Sequence, residues 1–167
     1  MTVTEARLHE TRTYSAPAGF AATANVTAEA YARAASDPTL FWEQAAERLD
    51  WAEPWHTAHE WDPSVGDAVP AARWFVGGQL NVAYNCVDRH VEAGRGDKVA
   101  LHFEGEPGDR IAVTYSDLQD RVSRAANALI ALGIRPGDRV VVYLPVLIET
   151  VVITLACARV GACLLYT

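Results

Sequence analysis

The sequence predicts an α/β fold: a helical, loop-rich N-terminal cap region, then a β-hairpin, then a βαβ unit. Three observations carry this. Apolar residues recur at helical spacing early in the chain, as in Leu40, Phe41, Ala45 and Leu49. The period switches to alternation at "KVALHFE" and "IAVTY". Two short apolar runs, "RVVVYL" and "ACLLYT", then flank one apolar helical segment, the order that a parallel strand pair with a crossover helix requires.

Composition suits a packed domain. Half of the 167 residues are apolar and 21% are charged, which is globular rather than disordered usage. A net charge of −7 argues against a nucleic-acid surface, because phosphate binding needs clustered Lys and Arg. Cys86, Cys157 and Cys163 are odd in number and form no C-x-x-C pair. A disulfide framework is therefore not expected, and a reducing, cytoplasmic compartment is. Cys157 sits in an apolar helical pattern and reads as a small core residue. Residues 1–26 have no apolar core of a secretion signal and are rich in Thr, Ala, Ser and Pro; they read as a mobile tail.

The elements follow in order. Thr27 can cap a helix over Thr27 to Ala35, and Asp37 can cap a second with Pro38 at its first position. From Trp51 to Gly78, four prolines or glycines before Gly77 interrupt four of the five tryptophans. No period survives there, so this stretch reads as an ordered loop pinned by aromatic anchors. Asn81 can cap a helix to about Val91, ended by Gly94 and Gly96. Val99, Leu101 and Phe103 share one face of a hairpin whose strands are linked by "GEPGDR". Ser116 reads as the cap of the next helix, with Gln119 completing a capping box. Leu118, Val122, Ala125, Ala126 and Leu129 form its apolar stripe and Gly133 ends it. Val140 to Leu144 is a continuous apolar run, which marks a strand buried on both faces. The helix from Ile148 to Val160 is apolar nearly all round and is stopped by Gly161. Pro145, Glu149 and Arg159 break or bracket the apolar C-terminal stretch, so it is too short and too charged to span a membrane.

Chemistry-bearing motifs are sparse. The sequence contains no Gly-rich loop ending in Lys and no G-x-G-x-x-G. "GRGD" reads as a turn. His56 and His59 lie in the Trp/Pro stretch without a third ligand in sight. His90, beside Asp88 and Arg89, reads as part of a local ion pair near a helix end. No catalytic, cofactor-binding or metal-ligating residue is assigned.

"DPTLFWEQAAERLDWAEPW", "WFVGGQLNVAYNCVDRHVEAGRGDKVAL", "TYSDLQDRVSRAANAL", "LGIRPGDRVVVYLP" and "ACARVGA" occur here in order. In these motifs the chain resembles the AMP-forming acyl-CoA synthetases, and among them the acetyl-CoA synthetase (acetate–CoA ligase) family, over about Ala30 to Ala162. The pair "LN-x-x-x-NC-x-DRH" and "ACAR-x-GA" is specific to its acetate and propionate branch. The resemblance implies ligation of acetate to CoA with cleavage of ATP to AMP and pyrophosphate, using Mg²⁺. It also implies that the phosphate loop, the acetate pocket, the catalytic lysine and the CoA-holding segment lie beyond the matched stretch. ATP, Mg²⁺ and CoA are then family cofactors that this chain is not expected to bind strongly. The domains it implies are a tail at 1–26, a cap region at 27–87 and the incomplete start of an adenylate-forming large domain at 88–167.

Two departures stand out. Ile148 replaces a proline usual before the glutamate, removing a constraint on the helix start. "ACLLYT" differs from the family's usual continuation and is similar to the strand before its phosphate loop; internal deletion and chance similarity both remain open. Three readings follow: a truncated ligase inactive alone, with a propionate–CoA ligase fragment as the alternative; a non-catalytic module completing or regulating a full-length synthetase; and a stand-alone binding module using the Trp-rich loop. A half-built sheet would leave apolar faces in water. Self-aggregation through the exposed sheet edge, or association with a synthetase chain, is expected; a nucleic-acid or membrane partner is not.

Overall fold

The computed structural model describes residues 11–63 and 71–166. The chain divides into two compact units, Met1–Ala45 and Ala46–Thr167. Short-range signals set three helices up to Ala46, the first residue of the second unit. Ala18–Ala22 (α1) lies within the stretch read as a tail, and all its residues are exposed; residues 1–10 of that stretch lie outside the described residues. Ala28–Ser36 (α2) follows Thr27, whose backbone is extended but whose hydroxyl makes no capping bond. Pro38–Ala46 (α3) follows Asp37, whose Oδ1 accepts the Leu40 amide at 2.9 Å, as expected of an aspartate cap before a first-turn proline. The helix ends at Ala46, and Leu49 lies in the bend beyond it.

The Trp51 to Gly78 loop is corrected. Thr57–Asp62 (β1) and Ala71–Val76 (β2) pair antiparallel, with His59 opposite Trp74; residues 64–70 lie outside the described residues. No period marks these strands because nearly all their residues are exposed or half-buried. Without a covered face, alternation is not imposed. The aromatic anchoring is present. Trp51, Trp55 and Phe75 meet with ring centroids 4.9–5.6 Å apart, and the Trp51 indole donates to the Ala46 carbonyl at 2.9 Å. Phe75 has φ +51°, a left-handed conformation uncommon for a bulky residue. At Gly78 a Cβ would sit 2.6 Å from the Trp51 ring, so the close approach of backbone to indole requires glycine.

A helical segment at 82–95 opens on Asn81, whose Oδ1 accepts the Tyr84 amide at 3.1 Å. It contains two π-helical turns, Tyr84–Asp88 and Val91–Arg95. It therefore runs past Val91 and is interrupted by Gly94 at φ +73°. Val99–Glu104 (β3) and Arg110–Thr114 (β4) form the antiparallel hairpin. Its link closes through the Gly105 amide to the Asp109 carbonyl at 2.9 Å.

Tyr115–Ala131 (α4) is capped by Thr114 with Asp117, not by Ser116 with Gln119: Thr114 Oγ1 accepts the Asp117 amide at 3.1 Å, and the Asp117 carboxylate accepts the Thr114 amide at 3.3 Å. The reason is positional. Thr114 ends β4 with an extended backbone, so the capping geometry is already present there, and Ser116 is inside the helix. Arg139–Val142 (β5), Ile148–Val160 (α5) and Cys163–Tyr166 (β6) form the βαβ unit, with β5 and β6 parallel and Val141 beside Leu165. Both long helices end alike. Gly133 and Gly161 take φ +91° and +76°, and the next residue's amide reaches back five residues, Ile134 to Leu129 and Ala162 to Cys157.

The core joins these pieces. Val87, Val113, Leu118, Val122, Ala126, Leu129, Ile148, Ala156 and Cys157 are buried together, with Val140 and Leu164 packed against them. The strand predicted to be buried on both faces is buried on one: Val142 is covered, while Val141 is 65% exposed.

Candidate functional site

The most constrained polar cluster is built by the helical segment 82–95. Asn81, Asn85 and Asp88 recur at intervals of four and three, which places them along one face of a helix. That face meets α4, α5 and the chain around Asp50. The Asp88 carboxylate accepts from Arg159 Nη2 at 2.7 and 2.8 Å and from Gln119 Nε2 at 2.8 Å. Arg159 Nη1 also reaches Ser123 Oγ at 3.3 Å. Both charged side chains are mostly buried, at 12% and 25% exposure. Arg159 Nε is fully buried and has no partner among the described residues.

Two asparagines continue the cluster. Asn81 Nδ2 donates to the Arg159 carbonyl at 3.2 Å, near the open C-terminal end of α5. Asn85 exchanges two 2.9 Å bonds with the Asp50 backbone. Arg89 donates to the Arg48 carbonyl at 2.9 Å and to Asp50 Oδ2 at 3.1 Å. One motif therefore fastens three separated stretches of chain to its own. Asp88 and Arg89, the neighbours beside which His90 reads from sequence as part of a local ion pair, each pair with a distant residue, Arg159 and Asp50. His90 packs on the Tyr115 ring at 4.8 Å. Burial, and then Arg89, Arg95 and Lys98, hold its imidazole pKa below the usual 6.5.

The remaining candidates disperse. His56 Nδ1 lies 3.0 Å from Thr57 Oγ1, and His59 stacks on Trp74 at 4.3 Å. Among the described residues no group of three or more His, Cys, Asp or Glu could hold a metal. Cys157 is buried and its thiol pKa is raised by burial; Cys86 and Cys163 are exposed. No helix among the described residues is long and apolar enough to cross a membrane.

Two of the concavities among the described residues, one charged and one apolar, do not suit a nucleotide triphosphate with its metal. The charged one, between α4 and the start of α5, is lined by Asp117, Asp120, Glu149, Arg121 and Arg124. Three carboxylates face two guanidiniums, and Arg124 is already bonded to Asp120 at 3.3 Å. A polyanion there would meet net negative charge. The other, lined by Cys86, Leu101, Tyr115, Val151 and Leu155, is apolar and offers no phosphate donors from charged side chains.

Sequence reasoning did not identify Asn85, Gln119, Ser123 and Asp50 as members of the cluster. A usable signal was present for the first: Asn81, Asn85 and Asp88 are polar at helical spacing on a segment whose other inward positions, Ala83 and Val87, are buried and apolar.

Comparison with known proteins gives a consistent result. The family model described as "Acetyl-coenzyme A synthetase N-terminus" matches residues 27–86, and that described as "AMP-binding enzyme" matches residues 87–166. An acetyl-coenzyme A synthetase of Streptomyces avermitilis is 59% identical over 93% of this chain and 23% of its own length. One from Mycobacterium tuberculosis is 56% identical over 89% of this chain and 22% of its own length. The solved acetoacetyl-CoA synthetase from Streptomyces lividans superposes with a TM-score of 0.72 at 30% identity, over 90% of this chain and 22% of that one. The chain thus spans less than a quarter of the length of these relatives.

Proposed function

Because the chain belongs, over residues 27–166, to the AMP-forming acetyl-CoA synthetase family, we propose that it forms the N-terminal part of an acetate–CoA ligase. It supplies frame rather than chemistry. The whole enzyme joins acetate to CoA, with ATP cleaved to AMP and pyrophosphate. ATP, Mg²⁺ and CoA are bound by parts of the ligase outside this chain, and the ligase is cytoplasmic. Residues 27–87 serve as its cap region and residues 88–167 as the opening of its large domain.

The observation carrying this reading is the 59% identity to an acetyl-coenzyme A synthetase across nearly the whole chain. The mixed-charge concavity, unsuited to a triphosphate, supports the division between frame and chemistry. Acetate is favoured over propionate because several relatives at 54–59% identity are named for acetyl-CoA. By contrast, the acetoacetyl-CoA synthetase stands at 30%. The chain's role toward its substrates is therefore indirect: it holds in place the elements that surround them.

Acetate-dependent ATP–pyrophosphate exchange tests the reading. The chain alone is expected to give no exchange above background, and Mg-ATP or CoA is expected to leave its melting temperature unchanged. Sustained turnover by the isolated chain would overturn it. A second reading, a non-catalytic module acting on a longer synthetase chain, is favoured by one observation: the outward side of β5 and β6 is apolar and open.

A further inference from the structure

A cavity of about 410 Å³ opens beside the start of the 82–95 segment, lined by Asp50, Trp51, Ala52, Asn81 and Tyr84. The side-chain donors at this cavity are already spent. Tyr84 Oη donates to Glu92 at 2.7 Å, Asn81 Nδ2 to the Arg159 carbonyl at 3.2 Å, and the Trp51 indole to Ala46. Acceptor capacity remains. The Asp50 side chain is 57% exposed, and Arg89 takes only its Oδ2, at 3.1 Å. Charge runs the same way. The last carbonyls of α5 stand behind Asn81, at the negative end of that helix's dipole. The bond to Glu92, burial, and the charges of Glu92, Asp50 and Asp88 hold the Tyr84 phenol above its usual 10. Arg159 answers Asp88 and Arg89 answers Asp50, whereas Glu92 meets the neutral phenol.

We propose that this cavity binds a primary alkylammonium ion, its nitrogen on Asp50 Oδ1 and its carbon chain against the Trp51 and Tyr84 rings. The site is separate from the ligase reaction assigned above and takes no support from it. An ammonium near an aromatic face gains from the negative face of the ring, and its three freely turning donors suit a single carboxylate oxygen. The volume lies within the ~300–1,000 Å³ of small-molecule sites. A guanidinium is the weaker occupant, because its planar fork matches both oxygens of a carboxylate and Arg89 already holds one. An anion would meet Asp50 and Glu92 with the wrong sign. A neutral apolar molecule would cover the Asp50 carboxylate without pairing it. A free amine and a lysyl side chain both carry the required group, and the experiment separates these sources.

The test titrates the full, nitrogen-15-labelled chain with n-butylammonium chloride at constant ionic strength and follows amide and indole resonances by NMR. The expected result is saturable shifts of the Trp51 indole N–H and of the amides of residues 50–52 and 81–84. For so small a ligand the dissociation constant should be millimolar. n-Butanol, the neutral counterpart, should give no saturable shift there. Nα-acetyl-lysine amide identifies the source. A response like that of butylammonium supports the site and extends it to lysyl side chains; a response to butylammonium alone supports it as a site for free amines. Asp50→Asn should weaken binding roughly tenfold. Because Asp50 also holds Arg89, a second variant removes no hydrogen-bonding side chain: Ala52→Lys sets an ammonium at the cavity wall and should abolish binding while leaving far-ultraviolet circular dichroism unchanged. Absence of saturable shifts overturns the proposal. So does equal binding of n-butanol, or full binding retained by either variant.

Discussion

Removing the Asp88 carboxylate would leave the Arg159 guanidinium mostly buried without its counter-charge. Asp88→Ala is therefore expected to destabilise the fold by about 3 kcal/mol, read from urea unfolding. Replacing both partners together with apolar residues should cost less than the sum of the single changes, because the unpaired charge disappears with the second. Capping distinguishes two neighbours on the same turn. Thr114→Ala loses the bond to Asp117 and should cost about 1 kcal/mol, whereas Ser116→Ala should fall within about 0.5 kcal/mol of wild type in the same assay. His90 gives a pH signature. Its folded pKa is lowered below 6.5 by burial and by Arg89, Arg95 and Lys98. The unfolded chain thus takes up this proton first as pH falls. The contribution is fully present above pH 6.5 and is lost as pH drops through the folded value. His90→Gln should flatten that part of a stability–pH curve. In a thiol titration, Cys86 and Cys163 should react readily at pH 8, and Cys157, buried with a raised pKa, only on unfolding.

At the scale of elements, what could be read in advance depended on whether one side of the element is covered. α4 and α5 are legible because their inward residues meet a shared core, which imposes a helical period, and because glycines stop both. β3 and β4 are legible because one side is packed. β1 and β2 were hidden for the opposite reason: with both faces largely exposed, their residues answer to pairing and aromatic contacts rather than to burial. The misplaced α4 cap has a similar origin. Two hydroxyl residues lie within three positions, and only the backbone of Thr114, fixed by the strand it ends, decides between them. The polar cluster was half visible. Asn81 and Asp88 stand in a recognisable motif, but Gln119 and Arg159 come to Asp88 from 31 and 71 residues away, and no local pattern encodes such distances. In Gly78→Ala the added methyl would press on the Trp51 ring and is expected to loosen the β1–β2 aromatic cluster, seen as a red shift and loss of intensity in tryptophan fluorescence.

For the whole molecule, the apolar run that opens the βαβ unit was read as a strand needing cover on both sides, and the structure covers it on one. Val141 and the residues after it, Tyr143 and Val146, are 65%, 85% and 92% exposed. An environment-sensitive apolar dye should therefore bind the isolated chain, and Val146→Glu should reduce its signal without altering far-ultraviolet circular dichroism.

The Asp88–Arg159 bond also has a bearing on synthesis. Its two ends are 71 residues apart, and at about 5–20 residues per second a ribosome needs roughly 4–14 seconds to travel between them. During that interval the carboxylate lacks the guanidinium that it meets in the fold, so water solvates it and the segment that carries it has not reached its final packing. Arrival of the arginine then acts as a clock, holding back final closure of the first-made stretch until the crossover helix has emerged.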